Sequence, residues 1–460
     1  MILSNTITAL AAIVGNDNLF TSLEDKITYS YDGTPLHSHL PDAIVRPSSK
    51  EQIAEILRLA NTERFSVVPR GAGTGLSGGS IPVDNCVVID MNRWNSILEI
   101  DKENLTAWVE PGVITSQLHL AVEAVGLFYP PDPGSMNVCT IGGNVAENSG
   151  GLRGLKYGVT KNYVMGLEVV LPNGQIITCG GKTVKDVAGY NLKDLFIGSE
   201  GTLGIFTKIL VKLIPKPETS RTMVAYFSSQ TDAGKTVSAI IAQKIIPCTI
   251  EFLDRTTIRC VEEFARIGLP MDIECLLLLE VDGHPAVVED EAKKVEECCR
   301  QNNAQEIIVA KNADEALKLK TARRSAFSAL ARVRPTTILE DITVPRSEIA
   351  AMLEKINAIS KKYNIIIGTF GHAGDGNLHP TCLTDERDPD EMLRAEKAYE
   401  EIFVEAVKLG GTITGEHGTG LAKKKFLHLV SGSSAIDAMR SIKKALDPNN
   451  ILNPGKVFDM

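Results

Sequence analysis

Ser66-Val67-Val68-Pro69-Arg70-Gly71-Ala72-Gly73-Thr74-Gly75-Leu76-Ser77-Gly78-Gly79 runs an apolar strand pattern straight into a loop rich in glycine. Serial glycines let backbone N–H groups converge on an anion, so this is the composition of a phosphate cradle. Gly73-x-Gly75-x-x-Gly78 also matches the dinucleotide fingerprint formally, but that loop has to open a helix whose N-terminus receives the pyrophosphate. Here the loop is followed by Ser80-Ile81-Pro82-Val83-Asp84-Asn85 and then by a second apolar strand, Cys86 to Asp90. The unit is strand, loop, strand, which disfavours a nicotinamide-binding Rossmann domain.

Upstream, helix-like periodicity opens the chain, a strand is expected over Ala43 to Pro47, and Ser49 caps a helix running to Asn61. Downstream, short strands are expected at Ile97 to Ile100, Thr106 to Val109, Gly166 to Leu171 and Gln175 to Thr178, the last two joined by the turn Pro172-Asn173-Gly174. Two further glycine-rich segments interrupt them: Pro131-Asp132-Pro133-Gly134-Ser135 with Thr140-Ile141-Gly142-Gly143-Asn144, and Gly198-Ser199-Glu200-Gly201-Thr202-Leu203-Gly204-Ile205. Each alone reads equally well as a tight turn. Three in one α+β domain suggest a long, phosphate-bearing cofactor.

After Lys212 to Pro217 the texture changes. Strands at Arg221 to Ser228, Thr249 to Leu253, Cys275 to Val281 and Ala304 to Ala310, with helices at Asp232 to Gln243 and Ala286 to Asn302, follow the β-α-β-β-α-β order of a ferredoxin-like sandwich. A second copy is expected over Thr337 to Thr343, Arg346 to Tyr363 and Ile365 to Phe370. The close, Leu446 to Lys456, reads as too polar for core and as a segment that returns to the first domain.

Three of the eight histidines stand in Gly371-His372-Ala373-Gly374-Asp375-Gly376-Asn377-Leu378-His379-Pro380 and Gly415-Glu416-His417-Gly418. Each stretch follows a β-type run, Tyr363 to Phe370 or Gly411 to Thr414, which puts both at strand ends. His372, His379 and Glu416 offer two imidazoles and a carboxylate, a set that suits zinc, iron or manganese and leaves positions open for substrate. Singly, each is read more simply as a turn residue or a hydrogen-bonder; together they point to a metal site with a base, His417, beside it.

Composition bounds the rest. The 460 residues suffice for two or three domains, and 43% hydrophobic with 23% charged residues is the balance of an ordinary globular protein. A net charge of -9 without a Lys/Arg-rich stripe argues against a nucleic-acid partner, and Lys423-Lys424-Lys425 reads as a solvated helix face. Nine cysteines with no C-x-x-C spacing fit a reducing compartment and supply no iron-sulfur ligands. No basic region precedes the apolar patch at the N-terminus, and the apolar run Cys275 to Leu279 is too short to span a bilayer. The expected location is cytoplasmic, with peripheral attachment at the inner membrane only through a partner.

The ordered set Arg70-Gly71-Ala72-Gly73-Thr74-Gly75, Pro131-Asp132-Pro133-Gly134, Thr140-Ile141-Gly142-Gly143-Asn144, Gly198 to Gly204, His372 to His379, Gly415-Glu416-His417-Gly418 and Leu452-Asn453-Pro454-Gly455-Lys456 resembles the FAD-linked oxidase family of vanillyl-alcohol-oxidase (PCMH) type. Within it, the chain resembles the branch of glycolate oxidase FAD subunits and D-lactate dehydrogenases. The resemblance implies an α+β fold: an N-terminal helical segment (1–40), a two-subdomain FAD-binding domain (41–217), a ferredoxin-like cap or substrate domain (218–410) and a C-terminal segment (411–460). It places FAD on Arg70, Gly71, Ala72, Gly73, Thr74, Gly75, Pro131, Asp132, Gly134, Ser135, Thr140, Gly142, Gly143, Asn144, Glu200, Gly201, Gly204, Ile205 and Asn453. Many relatives attach FAD through a histidine of the first loop; none stands there in this chain, so the expected attachment is non-covalent, with Cys139 the one nearby nucleophile.

The resemblance also makes His372, His379 and Glu416 ligands of one divalent metal, His417 the catalytic base and Arg323 the fork for a substrate carboxylate. The implied reaction oxidises a 2-hydroxy acid: the metal lowers the hydroxyl pKa, His417 takes the proton and the Cα hydride passes to the flavin. Relatives that take longer dicarboxylic hydroxy acids carry a Thr four residues after the Arg and a Lys soon after. This chain has Phe327 and no clear Lys equivalent, which favours D-lactate or glycolate over 2-hydroxyglutarate. The expected electron acceptor is a partner protein, either an electron-transfer flavoprotein or an iron-sulfur subunit. The competing readings are a non-catalytic FAD relay subunit and an NADPH-reduced flavin reductase of the cell-wall precursor type.

Overall fold

The computed structural model describes residues 2–460, which divide by their contacts into two compact units. The first comprises residues 2–149, Val159–Lys216 and Glu416–Met460; the second comprises Gly150–Gly158 and Pro217–Gly415.

In the first unit, β1 (Leu19–Phe20), β2 (Ala43–Val45), β3 (Ser66–Arg70) and β4 (Cys86–Asp90) form a sheet in the order β1-β2-β4-β3, with β2 and β3 both parallel to β4. No helix joins β3 to β4, so two parallel neighbours are linked by the glycine loop alone. The helix Lys50–Glu63 lies between β2 and β3 in the chain; Ser49 caps it by accepting from Gln52 N–H, and Ile53, Ile56, Leu57 and Ala60 bury one face. A second, antiparallel sheet contains β5 (Ile97–Asp101), β6 (Thr106–Val109), β8 (Val164–Val170), β9 (Ile176–Gly180) and β10 (Ile205–Lys212) in the order β5-β6-β10-β8-β9. The short strands β7 (Leu127–Phe128) and β11 (Ile214–Pro215) pair with each other. The β8–β9 hairpin turns where Asn173-Gly174 places it, with Gly174 at φ 78 and its N–H on Leu171 C=O.

The second glycine segment is only partly a loop. Thr140 caps a helix, Ile141–Glu147, and Gly142 sits in its first turn because its N–H donates to Pro111 C=O at 2.7 Å and a Cβ there would strike Pro111. Close approach, not turning, is what that glycine supplies. The closing segment does join the first unit but is not too polar for its core. Ile451 and Leu452 are buried; Asn453 and Lys456 are buried too, their side-chain nitrogens donating to backbone carbonyls of Glu200, Gly79 and Ile81. Lys423, expected on a solvated face, is also buried.

The second unit holds one eight-stranded sheet. Its strands are β12 (Thr219–Phe227), β13 (Thr249–Asp254), β14 (Cys275–Gly283), β15 (Glu306–Val309), β16 (Thr336–Leu339), β17 (Ile342–Thr343), β18 (Ile366–His372) and β19 (Asn377–Thr384). They run β15-β12-β14-β13-β18-β19-β16, with β17 also on β19. The first four carry the ferredoxin-like pattern, with one departure: a helix, Arg255–Ala265, stands between β13 and β14, capped by Asp254. Its one apolar stripe among many charges hid it from a reading of runs. The two copies are not separate sandwiches, because β13 pairs with β18 and fuses them. Gly411–Thr414 is not a strand; its only ladder contact is a bridge between Thr412 and Thr343.

Candidate active site

β18 and β19 form a hairpin around Ala373–Gly376, and the two imidazoles stand on either side of it. His372 ends β18, His379 is the third residue of β19, and their rings meet edge to face at 5.2 Å between centroids. The register brings Phe370 opposite His379, and β13 pairs Leu253 with Phe370 and Phe252 with Gly371. One step along, Glu251 falls beside His372. Paired residues share a sheet face, so Glu251, Phe370, His372 and His379 all present their side chains on one side.

Glu251 is fully buried and its Oε1 lies 2.6 Å from His372 Nδ1. Its other oxygen accepts from Nε of Arg323, a buried residue near the end of the helix Ala313–Arg324. The Arg323 guanidinium stacks on Phe370, 4.7 Å from the ring centroid. Arg324, one position on, is exposed, and Phe327 is more than one-third exposed on the following short helix.

Asp341, also fully buried, organises the other side. Its Oδ1 accepts from the Asn377 amide and lies 3.8 Å from His379 Nδ1. Its Oδ2 accepts from Thr414 Oγ1 at 2.7 Å and Gly415 N–H at 2.8 Å. Glu416 and His417 follow Gly415 directly, so the carboxylate beside one imidazole also anchors the stretch that leads into them. His417 Nε2 is 3.6 Å from Glu416 Oε1.

These facts test whether a metal fits. A ligating imidazole ordinarily gives its second nitrogen to a carboxylate, which fixes the tautomer and raises the basicity of the free nitrogen. His372 has that arrangement with Glu251, and His379 has Asp341 close by. Two imidazoles on one face, each with a carboxylate behind it, are donors that suit zinc, iron or manganese. Sequence reading missed Glu251 and Asp341. The available signal was a carboxylate at an inward position of an apolar strand, Thr249-Ile250-Glu251-Phe252, because charges are rarely buried without a partner.

The first unit assembles the other expected residues. Arg70 ends β3 and is buried, its guanidinium lying under Gly73, where a Cβ would overlap it; Gly73 itself has φ 70. A Cβ on Gly71 would overlap Thr140 Oγ1. Residues 71–76, including Ala72, Thr74 and Gly75, stay half-buried. Pro131, Asp132, Gly134 and Ser135 lie in the loop after β7; Asp132 is buried, while Gly134 opens onto free space. Gly143 N–H donates to the Thr140 cap, and the buried Asn144 amide donates to Thr115 Oγ1. Gly201 packs on Pro69, Gly204 on Val169, and Ile205 starts β10. A cation under a glycine loop that no side chain obstructs fits a dinucleotide's phosphates.

Glu200 does something the glycine pattern did not announce. Its carboxylate accepts from Thr419 N–H at 2.6 Å and Gly420 N–H at 2.8 Å, while its backbone carbonyl accepts from the Asn453 amide. Burial pushes Glu200 up, opposed by those two donors. Glu147 beside it is pushed well above the usual carboxyl value by burial and by the charge of Glu200. Gly418 lets both carboxyls approach: a Cβ there would overlap Glu147 Oε2. Among the described residues, no helix is long and apolar enough to cross a membrane.

A glycine-lined nucleotide cradle and a cap sheet bearing histidines define a flavin-binding oxidoreductase of the FAD-linked oxidase class. Residues 41–180 match the FAD binding domain and residues 216–457 the C-terminal domain of FAD linked oxidases, and the chain belongs to that family. It is 55% identical over 449 residues to glycolate oxidase subunit GlcD of Bacillus subtilis, covering 98% of this chain and 96% of that one. It is 39% identical to the protein of the same name from Escherichia coli (94% and 87% covered) and 36% identical to a D-lactate dehydrogenase of Archaeoglobus fulgidus (90% of each). Among solved structures, p-cresol methylhydroxylase shares the fold with a TM-score of 0.81 at 19% identity, covering 100% of this chain and 98% of that one. Alkyldihydroxyacetonephosphate synthase gives 0.78 at 21% identity, with 99% and 86% covered.

Proposed function

We propose that the protein is an FAD- and metal-dependent dehydrogenase that oxidises a small 2-hydroxy acid, glycolate or D-lactate, to the 2-oxo acid. The observation that carries this reading is the buried carboxylate Glu251, which holds a metal-type histidine and a carboxylate-type arginine together on one sheet face. The names of relatives over nearly the whole chain support the substrate class.

Arg323, with Nε engaged by Glu251, keeps its Nη groups for the substrate carboxylate. His372, His379 and Glu416 would hold the ion, and His417 would accept the hydroxyl proton. When bound, FAD supplies a two-electron acceptor and the divalent ion a Lewis acid. Phe370, packed under Arg323 and against His379 with ring centroids 5.4 Å apart, keeps water from the back of the site. Non-covalent FAD suits a first loop without histidine. The word "subunit" in the name of the Bacillus subtilis relative, and the absence of clustered cysteines here, support onward transfer of electrons to a partner protein.

Anaerobic mixing of the flavin-loaded protein with glycolate or D-lactate tests this. Bleaching is expected with at least one of them, to be abolished by chelation and in His417→Ala. A flavin that stays oxidised with both acids but is reduced by NADPH sinks the reading.

A further inference from the structure

Glu251 has two partners that belong to different functions, and the geometry lets neither be served without the other. It sits in the middle of the eight-stranded sheet at 0% exposure, where an unpaired carboxylate would be strongly unfavourable. Oε1 faces His372 Nδ1 and Oε2 faces Arg323 Nε. From Arg323 the contacts continue to Phe370, from Phe370 to His379, and from His379 back to His372. Five side chains thus close a ring, and Glu251 is the only one hydrogen-bonded to two of the others among the bonds just named.

The consequence for each partner follows from hydrogen-bond chemistry. A carboxylate on Nδ1 keeps the proton there and makes Nε2 the basic nitrogen of His372. The same carboxylate on Nε of Arg323 fixes the plane of the guanidinium and leaves the Nη edge for an anion. We propose that Glu251 is a positioning residue that couples the metal ligand His372 to the anion-binding Arg323, so that binding of the ion strengthens binding of the 2-hydroxy acid and the reverse. The physical basis is pre-organisation: an ion on His372 holds Glu251 in one rotamer, and that rotamer holds Arg323 ready. Coupling of this kind is reciprocal by thermodynamic necessity. The inference rests on the functional reading above.

Glu251→Gln separates the two services, because the amide oxygen can face only one partner and its NH2 must face the other. Two readouts on the FAD-loaded protein, neither needing turnover, decide the matter. Manganese or zinc affinity by chelator competition is expected to fall about 10- to 100-fold. Oxamate, a non-oxidised analogue titrated on the flavin spectrum at saturating metal, is expected to bind more tightly with metal than without it in the wild type, and to gain by a clearly smaller factor in the variant, where only its direct contact with the ion remains. Wild-type metal affinity in a folded Glu251→Gln protein, or an oxamate enhancement there as large as in the wild type, overturns the proposal. Should Gln prevent folding, Glu251→Asp keeps the charge but is one methylene too short to reach both partners; unchanged metal affinity and enhancement there overturn it equally. A wild type that binds no ion refutes the functional reading instead, so the two failures are told apart.

Discussion

The nucleotide cradle of the first unit is built from backbone, whereas the histidine cluster of the second is built from side chains on a rigid sheet. The cradle works by what is missing: a Cβ at Gly71 would strike Thr140 and one at Gly73 would strike Arg70. The cluster works by what is present and buried, with Glu251 and Asp341 at 0% exposure behind the imidazoles. Backbone sites tolerate no added atom, and side-chain sites tolerate no lost one. Substitutions should therefore damage the two regions in opposite ways and independently.

The largest effect should come from deleting a donor. His379→Ala is expected to abolish stoichiometric metal, read by elemental analysis, and to lower kcat/KM for glycolate or D-lactate by about 10³-fold or more, the scale of a lost Lewis acid. Its flavin content should stay at the wild-type level. Loss of FAD together with the metal would break the comparison. Adding an atom to the cradle is the mirror experiment. Gly71→Ala forces Thr140 Oγ1 aside, and overpacking of this kind costs about 1–3 kcal/mol. We expect about 10- to 100-fold weaker FAD binding in a flavin titration, with metal affinity unchanged.

Glu200 stands between the two designs, since a side chain there does a backbone job. Glu200→Gln turns an amide NH2 toward one of the two N–H groups of Thr419 and Gly420. Losing one hydrogen bond to a charged acceptor removes about 1.5–3 kcal/mol. That should appear in urea unfolding as a destabilised first unit, whereas an unchanged midpoint would mean the loop after His417 holds itself.

The sequence showed the backbone design more plainly than the side-chain design. Strand, glycine loop and strand could be read from residues 66–90 because glycine and proline act locally, within a few positions. His372 and His379 were legible for the same reason, since their stretch is glycine-rich. Glu251 was not, because it acts on a residue 121 positions away through strand pairing that no local pattern encodes. The fusion of two ferredoxin-like copies into one sheet was hidden likewise, resting on a short β13–β18 register. Polar burial misled the reading at the end of the chain, where Asn453 and Lys456 find carbonyl partners hundreds of residues upstream.

The effect that shows only as a dependence on pH concerns a carboxyl at the edge of the cradle. Asp32 accepts from Thr34 N–H through Oδ1, while Oδ2 is buried beside Gly75, short of a well-formed hydrogen bond. Burial raises this group from 3.8 to about 6, against the pull of Arg70. A folded-state pKa above the unfolded value means the folded chain holds the proton more tightly. That contribution to stability is full below about pH 4 and is lost as pH rises through about 6, a span worth about 3 kcal/mol. Asp32→Asn keeps the Oδ1 acceptor and removes the charge. In urea titrations from pH 4 to 7.5 the variant should lose the downward slope assigned to this group and be the more stable protein at the upper end. Parallel curves for the two proteins would show that Oδ2 finds solvation, and that this edge of the cradle bears charge as readily as it bears an absent side chain.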